Sequence, residues 1–321
     1  MYKRSGRKNE LGFLEKRIFT KKLKNEYKIL NQLGRSGNRT SSYLLVDKHG
    51  NKFVLKVPNN KNDEDWLKSQ QETIAKREVY LQDYEGDIAK PKTILIQDNM
   101  IIENYLGVEF SKDVYNSLNS SEKAKLASDF ANLLSHTHNR TMSKNKVNFT
   151  SFDKSPLEEI QEFLNIHLPN VQKVELENLV EDFNSRDTSD EFSTLVHADI
   201  RYQNLLYDEN TKKLGLIDFE CVHMDNVYND FTPYCAASFG MDYKFLSDVI
   251  KEYNKKANLK ISPEKVKLFH KLGIFHEFGK VAKNSNFSEE KIKGITIPNL
   301  KSHIQDLDKN FIVKESQDRE I

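Results

Sequence analysis

The chain has 321 residues, of which 37% are hydrophobic and 30% charged, enough for two domains with cores of their own. Its formal net charge of +1 gives no general reason to expect nucleic acid as a partner, and no apolar run reaches membrane-spanning length. Cys221 and Cys235 form no C-x-x-C motif, so neither a disulfide scaffold nor a zinc site is indicated. We therefore predict a cytoplasmic protein without a membrane partner.

Residues 1–26 form a predicted basic N-terminal extension. Its basic residues far outnumber Glu10 and Glu15; they are Lys3, Arg4, Arg7, Lys8, Lys16, Arg17, Lys21, Lys22 and Lys24. Such a segment could bind an acidic surface, although a solvated extension is the more common role of a charge run. It lacks the apolar core of a signal peptide.

The next segment predicts two strands around a polar loop. Residues 27–33 and 42–47 show strand patterning, and the loop between them contains Gly34, Ser36 and Gly37. Backbone amides in such a loop can bind phosphate groups. The alternative is an ordinary turn, because two glycines between strands are a weak signal.

A candidate phosphate-binding lysine follows. Residues 52–57 predict an alternating strand that carries Lys56 and is similar to the V-A-I-K strand of kinases. Residues 72–84 predict a helix, on which we expect Glu78 to form an ion pair with Lys56; Glu72 is the alternative partner. Taken alone, Lys56 is more often a surface residue than a ligand.

Residues 99–107 predict an apolar strand that leads into a polar segment bounded by glycine. Backbone groups of Glu103, Asn104 and Tyr105 would there bind the edge of a purine. An edge strand followed by a turn explains the same pattern.

The strongest motif is HADIRYQN at residues 197–204. Phosphoryl transfer requires a positioned acceptor hydroxyl and neutralised phosphate charge, the latter usually by Mg²⁺. In the kinase pattern H-x-D-x-x-x-x-N, the Asp accepts the hydroxyl proton, the Asn binds a metal, and an Asp further along binds metal as well. Asp199, Asn204 and Asp218 occur in that order.

A predicted β-hairpin over residues 205–217 joins these groups. Since a hairpin returns the chain to its starting point, Asp218 is expected beside Asn204. Both side chains offer the oxygen ligands that Mg²⁺ prefers. A hairpin with incidental acids is the alternative interpretation.

In motif order, residues 27–285 resemble the aminoglycoside phosphotransferase and choline kinase superfamily, with a layout most similar to the 2″-aminoglycoside phosphotransferases. The resemblance implies an α+β, bilobal protein-kinase-like fold. A small antiparallel-sheet N-lobe, residues 27–104, would bind the nucleotide. A larger, mainly helical C-lobe, residues 105–321, would hold the catalytic residues and the acceptor. The resemblance also implies ATP or GTP as the phosphate donor and Mg²⁺ as a cofactor.

The resemblance assigns roles residue by residue. Asp199 becomes the catalytic base, and Asn204 and Asp218 become metal ligands. His197 supports the catalytic loop by hydrogen bonding, and Asp230 braces the same loop from below.

Departures from the family pattern occur within the motif. Ala198 replaces a common Gly. Arg201 replaces His, Ser or Gly, and we expect it either to stabilise transition-state charge or to pair with a surface carboxylate. Phe219 is followed by Glu220 instead of Gly, so nothing supports a switch by loop phosphorylation.

The acceptor pocket is weakly defined. A cationic acceptor would favour carboxylates; the candidates are Glu220, Asp225 and Glu277, with Glu158, Glu159 and Glu162 as further acids. Each is more often a surface charge. Choline would instead need an aromatic cage, for which the candidates, more often core residues, are Tyr228, Phe231, Tyr234, Phe239 and Tyr243.

We therefore predict an enzyme that transfers the γ-phosphate of ATP or GTP to a hydroxyl of a small cationic molecule, first of all an aminoglycoside. A choline, ethanolamine or other metabolite kinase is the nearest alternative. A protein kinase and a nucleotide-binding pseudokinase are further alternatives. The sequence does not specify an oligomeric state.

Overall fold

The computed structural model describes residues 21–36, 39–60, 63, 65–97, 99–143, 170–232, 243–284 and 297–311. None of the helices in these ranges is both long and apolar enough to cross a membrane. The chain divides into two compact units. The first contains Met1–Ala75 and Ala89–Gly107, and the second contains Lys76–Ile88 and Val108–Ile321.

An antiparallel sheet forms the first unit. Within the described residues it has five strands in the order β1-β2-β3-β5-β4. The strands are β1 Tyr27–Ser36, β2 Thr40–Asp47, β3 Lys52–Pro58, β4 Thr93–Gln97 and β5 Met100–Asn104. The strand predictions before residue 60 are therefore confirmed, and β4 is an additional strand without a predicted counterpart.

One face of this sheet packs into an apolar core. Leu55 and Val57 of β3 join Leu45 and Ile102, and helix α1, Lys21–Glu26, adds Leu23. Because successive residues of a strand point to opposite faces, Lys56 lies on the other face from Leu55 and Val57.

Helix α2, Trp66–Tyr80, begins earlier than the sequence pattern indicates. Trp66 is buried, and its Nε1 donates to the Thr40 hydroxyl at 2.9 Å, which fixes the start of the helix. The unit boundary falls inside α2, because Tyr80 and Tyr84 belong to the core of the second unit. Residues 76–88 are thus grouped differently from the predicted N-lobe.

Helices dominate the second unit. They are α3 Lys112–Ser117, α4 Ser120–Thr141, α5 Asn170–Ser185, α6 Tyr243–Lys256, α7 Pro263–Asn284 and α8 Ile297–Asn310. Asn119 and Glu122 form a capping box that satisfies backbone amides at the start of α4. The apolar faces of α4 and α6 meet in one core through residues such as Phe130 and Phe245.

Two short sheets complete the second unit. Strands β6 Val108–Glu109, β8 Leu205–Asp208 and β9 Lys213–Leu216 form one, and β7 Ser193–Val196 pairs with β10 His223–Asn226 in the other. The predicted hairpin is confirmed as β8 and β9, with Leu205 opposite Leu216. Both sheets lead directly into the segments that carry the candidate site.

Candidate active site

The predicted catalytic loop, residues 197–204, starts where β7 ends and is held by one buried carboxylate. Asp230 Oδ1 accepts the backbone amides of His197 at 2.7 Å and Ala198 at 2.9 Å. Ala198 has a φ of 61°, in the left-handed region where a side chain is strained. The two hydrogen bonds hold the backbone in this turn, which directs the following Asp199 out of the strand.

Asp230 is also the centre of a buried network. Its Oδ2 accepts the Tyr80 hydroxyl and lies 3.0 Å from His138 Nε2, and the other nitrogen of His138 lies 3.0 Å from the Tyr253 hydroxyl. Burial and the Asp230 charge raise the pKa of Tyr80, so its hydroxyl stays a donor. The carboxylate therefore connects α2, α4, α6 and the catalytic loop.

His197 supports the loop from its other side. The ring is buried against Tyr80 and Phe219, and its Nε2 lies 3.1 Å from the Ile217 carbonyl. A carbonyl can only accept, so Nε2 carries the proton. Burial lowers the pKa of His197, which keeps the ring neutral. It links the catalytic loop to the end of the hairpin.

Asp199 is largely buried, and its neighbours shift its pKa in opposite directions. Its carboxylate accepts the Asn204 amide at 2.8 Å and lies 3.1 Å from the Arg201 guanidinium. Burial, first of all, and the negative charge of Asp218 raise the pKa of Asp199, while Arg201 and Asn204 lower it and only partly offset the rise. The resulting pKa of Asp199 is about 6. A carboxylate with this pKa can exchange a proton near neutral pH, as a general base must.

Asn204 and Asp218 meet as the hairpin implies. The Ile217 amide donates to the Asn204 carbonyl at 3.0 Å, so Asp218 follows directly beside that residue. The Asn204 side-chain amide donates to both the carbonyl and the carboxylate of Asp199. Its Oδ1 accepts no hydrogen bond from the described residues. The backbone of Asp218 lies in the left-handed region, with φ 68° and ψ 63°. Such strained conformations are found at functional sites.

This donor set fits Mg²⁺. An amide oxygen and a carboxylate are hard oxygen ligands, and such an ion usually completes its shell with water and substrate phosphate. No group of three or more His, Cys, Asp or Glu residues that could hold a metal occurs among the described residues. Asn204 and Asp218 are the two predicted ligands that could hold such an ion.

The turn after Asp218 is fixed by two residues that the sequence motifs do not indicate. Lys76 Nζ donates to the Glu220 carbonyl at 2.5 Å. His223 Nδ1 lies 2.6 Å from the Cys221 carbonyl, and its Nε2 lies 3.0 Å from Asp225. No motif singles out either residue: the contact of Lys76 joins residues 144 apart in the sequence, and the contacts of His223, although local, belong to no recognised pattern.

The predicted acceptor-binding acids have different environments. Glu220 is exposed on the turn after Asp218. Asp225 is 1% exposed and accepts the Asn226 amide and the Asn229 side chain, so the structure does not support it as an acceptor ligand. Glu277 lies in α7, but its side chain is outside the described residues, and so are Glu158, Glu159 and Glu162.

In the first unit, Lys56 has a partner other than the expected one. Its Nζ lies 2.8 Å from Glu103 Oε2. Glu78 instead pairs with Arg77 and is 68% exposed. Strand β5, beside β3, therefore supplies an acidic partner of Lys56 within the first unit, and the expected pairing with Glu78, which belongs to the second unit, stays a prediction.

The predicted loop and purine-binding segment are partly engaged in the sheet. Gly34 and Ser36 pair with Ser42 and Thr40 at the end of β1, while Gly37 lies outside the described residues. The Asn104 and Tyr105 amides donate to the Lys92 and Lys52 carbonyls, so these two amides are already bonded within the first unit, and the predicted purine contact of backbone groups in Glu103, Asn104 and Tyr105 stays a prediction.

Glu103 itself lies between two strands, opposite Val54 and Thr93. The next amide along the chain after Tyr105, that of Leu106, donates to none of the described residues. It is therefore a better candidate donor to a purine than the amides that the sequence singled out.

The sequence matches the model of the phosphotransferase enzyme family, APH, over residues 32–257. No curated protein matches the chain. The ADP-bound aminoglycoside phosphotransferase APH(2'')-Ib has a similar structure, with 20% identity, a TM-score of 0.50, and coverage of 95% of this chain and 99% of its own. The GDP complex of an aminoglycoside 2'-phosphotransferase-IIIa mutant shares 14% identity with a TM-score of 0.59, covering 94% and 98%.

Macrolide 2'-phosphotransferase MphH from Brachybacterium faecium is also similar, with 10% identity, a TM-score of 0.54, and coverage of 96% and 99%. Identities this low show the fold alone, and they confirm the predicted α+β, kinase-like architecture. The family match spans most of the chain and includes both Lys56 and the motif around Asp199. This protein belongs to the phosphotransferase enzyme family.

Proposed function

We propose that this protein transfers the γ-phosphate of ATP or GTP to a hydroxyl group of a small cationic molecule, with aminoglycosides as the leading substrate class. One observation carries the proposal: Asp199, Asn204 and Asp218 are brought together by the catalytic loop and the hairpin. A carboxylate, an amide and a second carboxylate are the protein groups that phosphoryl transfer uses.

Asp199 is the proposed base. Its raised pKa suits acceptance of a proton from a hydroxyl as the new O–P bond forms. Arg201 holds the carboxylate on one side, while its buried Nε has no acceptor among the described residues. A phosphate oxygen would satisfy that donor, and this favours a role in charge stabilisation over a purely structural pair.

Asn204 and Asp218 are the proposed Mg²⁺ ligands. When bound, the ion neutralises phosphate charge and orients the transferred group. The Asn204 amide is turned so that its two hydrogens bind Asp199, which leaves the oxygen for the metal. Asp230 and His197 hold the backbone from which Asp199 projects.

Lys56 is the proposed ligand of the nucleotide phosphates. The end of β1, with Gly34 and Ser36, and the following Gly37 are proposed to add backbone amides to those phosphates. The amide of Leu106 is proposed to contact the purine. We further propose a cytoplasmic location, where nucleoside triphosphates are present.

The acceptor class rests on charge and on the names of similar proteins. Two of the similar structures described above act on aminoglycosides according to their names, and one acts on macrolides. Exposed Glu220, next to the metal-binding turn, offers a negative charge for a cationic acceptor. Choline or ethanolamine remains the alternative acceptor.

The decisive experiment measures nucleotide-dependent phosphorylation of aminoglycosides, macrolides, choline, ethanolamine and amino sugars, with ATP and GTP tested separately. Asp199→Asn is the inactive comparison, and Glu209→Gln, at the exposed hairpin turn, is the control. We expect phosphorylated aminoglycoside from the wild type and from Glu209→Gln only. Product from choline alone would transfer the assignment to the alternative, and phosphate transfer only to added protein would refute a small-molecule kinase.

A further inference from the structure

We propose that Arg201 is a positioning residue for the base: it binds one oxygen of the Asp199 carboxylate, Oδ2, and thereby reserves the other oxygen, Oδ1, for the acceptor hydroxyl. This inference deepens the proposed function and rests on it, because it assigns a task within phosphorylation of the acceptor. The contact uses Nη2 of the guanidinium, so it leaves Nε for the charge-stabilising role.

The two carboxylate oxygens of Asp199 have unequal surroundings. Oδ2 accepts the Asn204 side-chain amide at 2.8 Å and lies 3.1 Å from Arg201 Nη2. Oδ1 accepts no hydrogen bond from the described residues. Both oxygens of an ionised carboxylate carry lone pairs, so the full acceptor capacity of Oδ1 remains. Oδ1 is therefore the oxygen that can take the proton of a hydroxyl group.

Hydrogen bonds within the loop fix the backbone that carries Arg201. The Arg201 carbonyl accepts the amide of Asn204 at 2.9 Å and that of Leu205 at 3.0 Å, which closes the chain into a tight turn. The Asn204 side-chain amide is anchored twice, since it also donates to the Asp199 carbonyl at 2.8 Å. All of these contacts lie within residues 199–205. One short segment thus brings the guanidinium and the carboxylate together.

Two donors on one oxygen hold the plane of the carboxylate more firmly than one donor does. The terminal torsion of an aspartate side chain is broad, so a single hydrogen bond leaves the carboxylate free to turn. Arg201 adds a charge-assisted contact from a planar group whose charge is permanent. Asn204 does not supply this restraint alone, because its amide also binds the Asp199 carbonyl and its oxygen is the proposed metal ligand.

A fixed carboxylate plane matters more for a large acceptor than for water. In transfer, the acceptor oxygen bonds to the γ-phosphorus, the bond from that phosphorus to the leaving nucleoside diphosphate breaks, and the hydroxyl proton passes to Oδ1. In hydrolysis, water takes the place of the acceptor and inorganic phosphate is released. A water molecule can adjust to a displaced carboxylate, whereas an acceptor held by the rest of its site cannot. Loss of Arg201 should therefore slow transfer more than hydrolysis.

The test measures phosphorylated acceptor and free phosphate in the same reaction, with the acceptor that gives the wild type most product. It compares Arg201→Ala and Arg201→Lys with Lys251→Ala, a control at an exposed position of α6. We expect the ratio of transfer to hydrolysis to fall at least about tenfold in Arg201→Ala. Arg201→Lys should recover part of the ratio, because it keeps the charge without the planar fork, and Lys251→Ala should match the wild type.

A second measurement detects the contact itself in nucleotide-free protein. Nitrogen NMR of the arginine side chains reports how freely each guanidinium rotates, and the Arg201 signals are identified by their loss in Arg201→Lys. We expect separate Nη1 and Nη2 signals for Arg201 in the wild type, because the carboxylate restricts rotation. The two signals should merge in Asp199→Ala. A freely rotating Arg201 guanidinium in the wild type would overturn the proposal.

An unchanged ratio in Arg201→Ala, with both rates lowered equally, would also overturn it, since a residue that only binds phosphate or only supports the fold gives that result. This outcome leaves the proposed function intact. If the wild type transfers phosphate to no acceptor, the proposed function fails and this inference fails with it. Should Arg201→Ala not fold, Arg201→Gln replaces it; its amide keeps a donor without the charge, and its ratio should lie below that of Arg201→Lys.

Discussion

Asp199 combines two demands that conflict at the level of a single residue. Catalysis needs a carboxylate that accepts a proton, and burial penalises the charged form of that carboxylate. Asn204 and Arg201 partly offset the penalty, but the pKa still rises to about 6. The balance among these neighbours therefore determines the pH at which the proposed base is available.

The first prediction concerns the acidic limb of the pH–rate profile. Asp199 must be deprotonated to act, so kcat/KM should fall as the pH decreases through about 6. Arg201 lowers the pKa of Asp199, so Arg201→Ala should move the limb to higher pH as well as reduce the maximal rate. Lys301→Ala, at an exposed position of α8, is the control. A limb that stays in place in Arg201→Ala would show that another group titrates.

The second prediction concerns stability. The folded-state pKa of Asp199 lies above the ordinary value of 3.8, so the folded protein binds this proton more tightly than the unfolded chain. The stabilisation from protonation is complete below pH 3.8 and is lost as the pH rises through 6. Asp199→Asn should therefore raise the free energy of unfolding at pH 8 by about 1 to 2 kcal/mol after allowance for solvent screening, and by less at pH 5. Urea unfolding at both pH values measures the difference; an equal gain at both would contradict it.

The third prediction concerns the left-handed turn at Ala198. Its φ of 61° is costly for a residue with a Cβ and not for Gly. Ala198→Gly should leave stability unchanged or increase it by up to about 1 kcal/mol, since relief of strain offsets the greater entropy of unfolded Gly. Ala75→Gly, in the exposed interior of α2, should instead lose about 1 kcal/mol. Thermal unfolding of both variants tests the contrast, and a loss in both would refute it.

At the level of secondary structure elements, the sequence predicts those strands and turns that are formed by residues close together in the chain. Alternating residues identify β3, and the short turn between β8 and β9 identifies the hairpin, because both are complete within a few residues. The pairing of β7 with β10 is not predictable in this way, since these four-residue strands are distant in sequence.

The fourth prediction concerns His223. Its two ring nitrogens both face acceptors, the Cys221 carbonyl and the Asp225 carboxylate, and only the protonated ring can donate to both. The hydrogen bond to Asp225 is the main cause that raises the pKa of His223. The stabilisation that protonated His223 contributes to the fold is complete below pH 6.5. It is lost as the pH rises through the raised pKa of His223 in the folded protein.

His223→Gln should consequently reduce the free energy of unfolding at pH 6 by less than about 1 kcal/mol, because the half-exposed ring is screened, and by still less at pH 9. His49→Gln, in the turn after β2, is the control. Chemical denaturation at the two pH values measures the effect, and a loss that does not depend on pH would exclude an ionic contribution.

On the scale of the whole molecule, the two-part kinase-like architecture and the motif order were predictable, because each motif is a short string with its own chemistry. The partner of Lys56 was not, since two acids on α2 and one on β5 were compatible with the sequence. The structure pairs Lys56 with Glu103 on the neighbouring strand at 2.8 Å, and pairing between strands is not recorded in the local sequence. The position of the unit boundary inside α2 was not predictable either, because Tyr80 contributes to the second core although its helix begins in the first unit.

The fifth prediction separates the functions of the two aspartates. Asp218→Ala should abolish the Mg²⁺-dependent part of ATP binding, because it removes the carboxylate that we propose as a ligand of the ion. Asp199→Ala should leave nucleotide affinity within a few-fold of wild type while turnover is lost, since the base acts on the acceptor. Calorimetric titration with and without Mg²⁺ measures both. Equal affinity in Asp218→Ala would contradict the assignment of the metal ligand.

The network centred on Asp230 constrains how this chain can diversify. One carboxylate serves two amides of the catalytic loop, a tyrosine and a histidine, so a substitution there disturbs groups on several helices at once. We therefore expect selection for a new acceptor to leave Asp230 and its hydrogen-bond partners unchanged and to change exposed residues such as Glu220. Laboratory evolution toward a different acceptor should accumulate its first mutations at exposed positions and leave the buried residues around Asp230 unaltered.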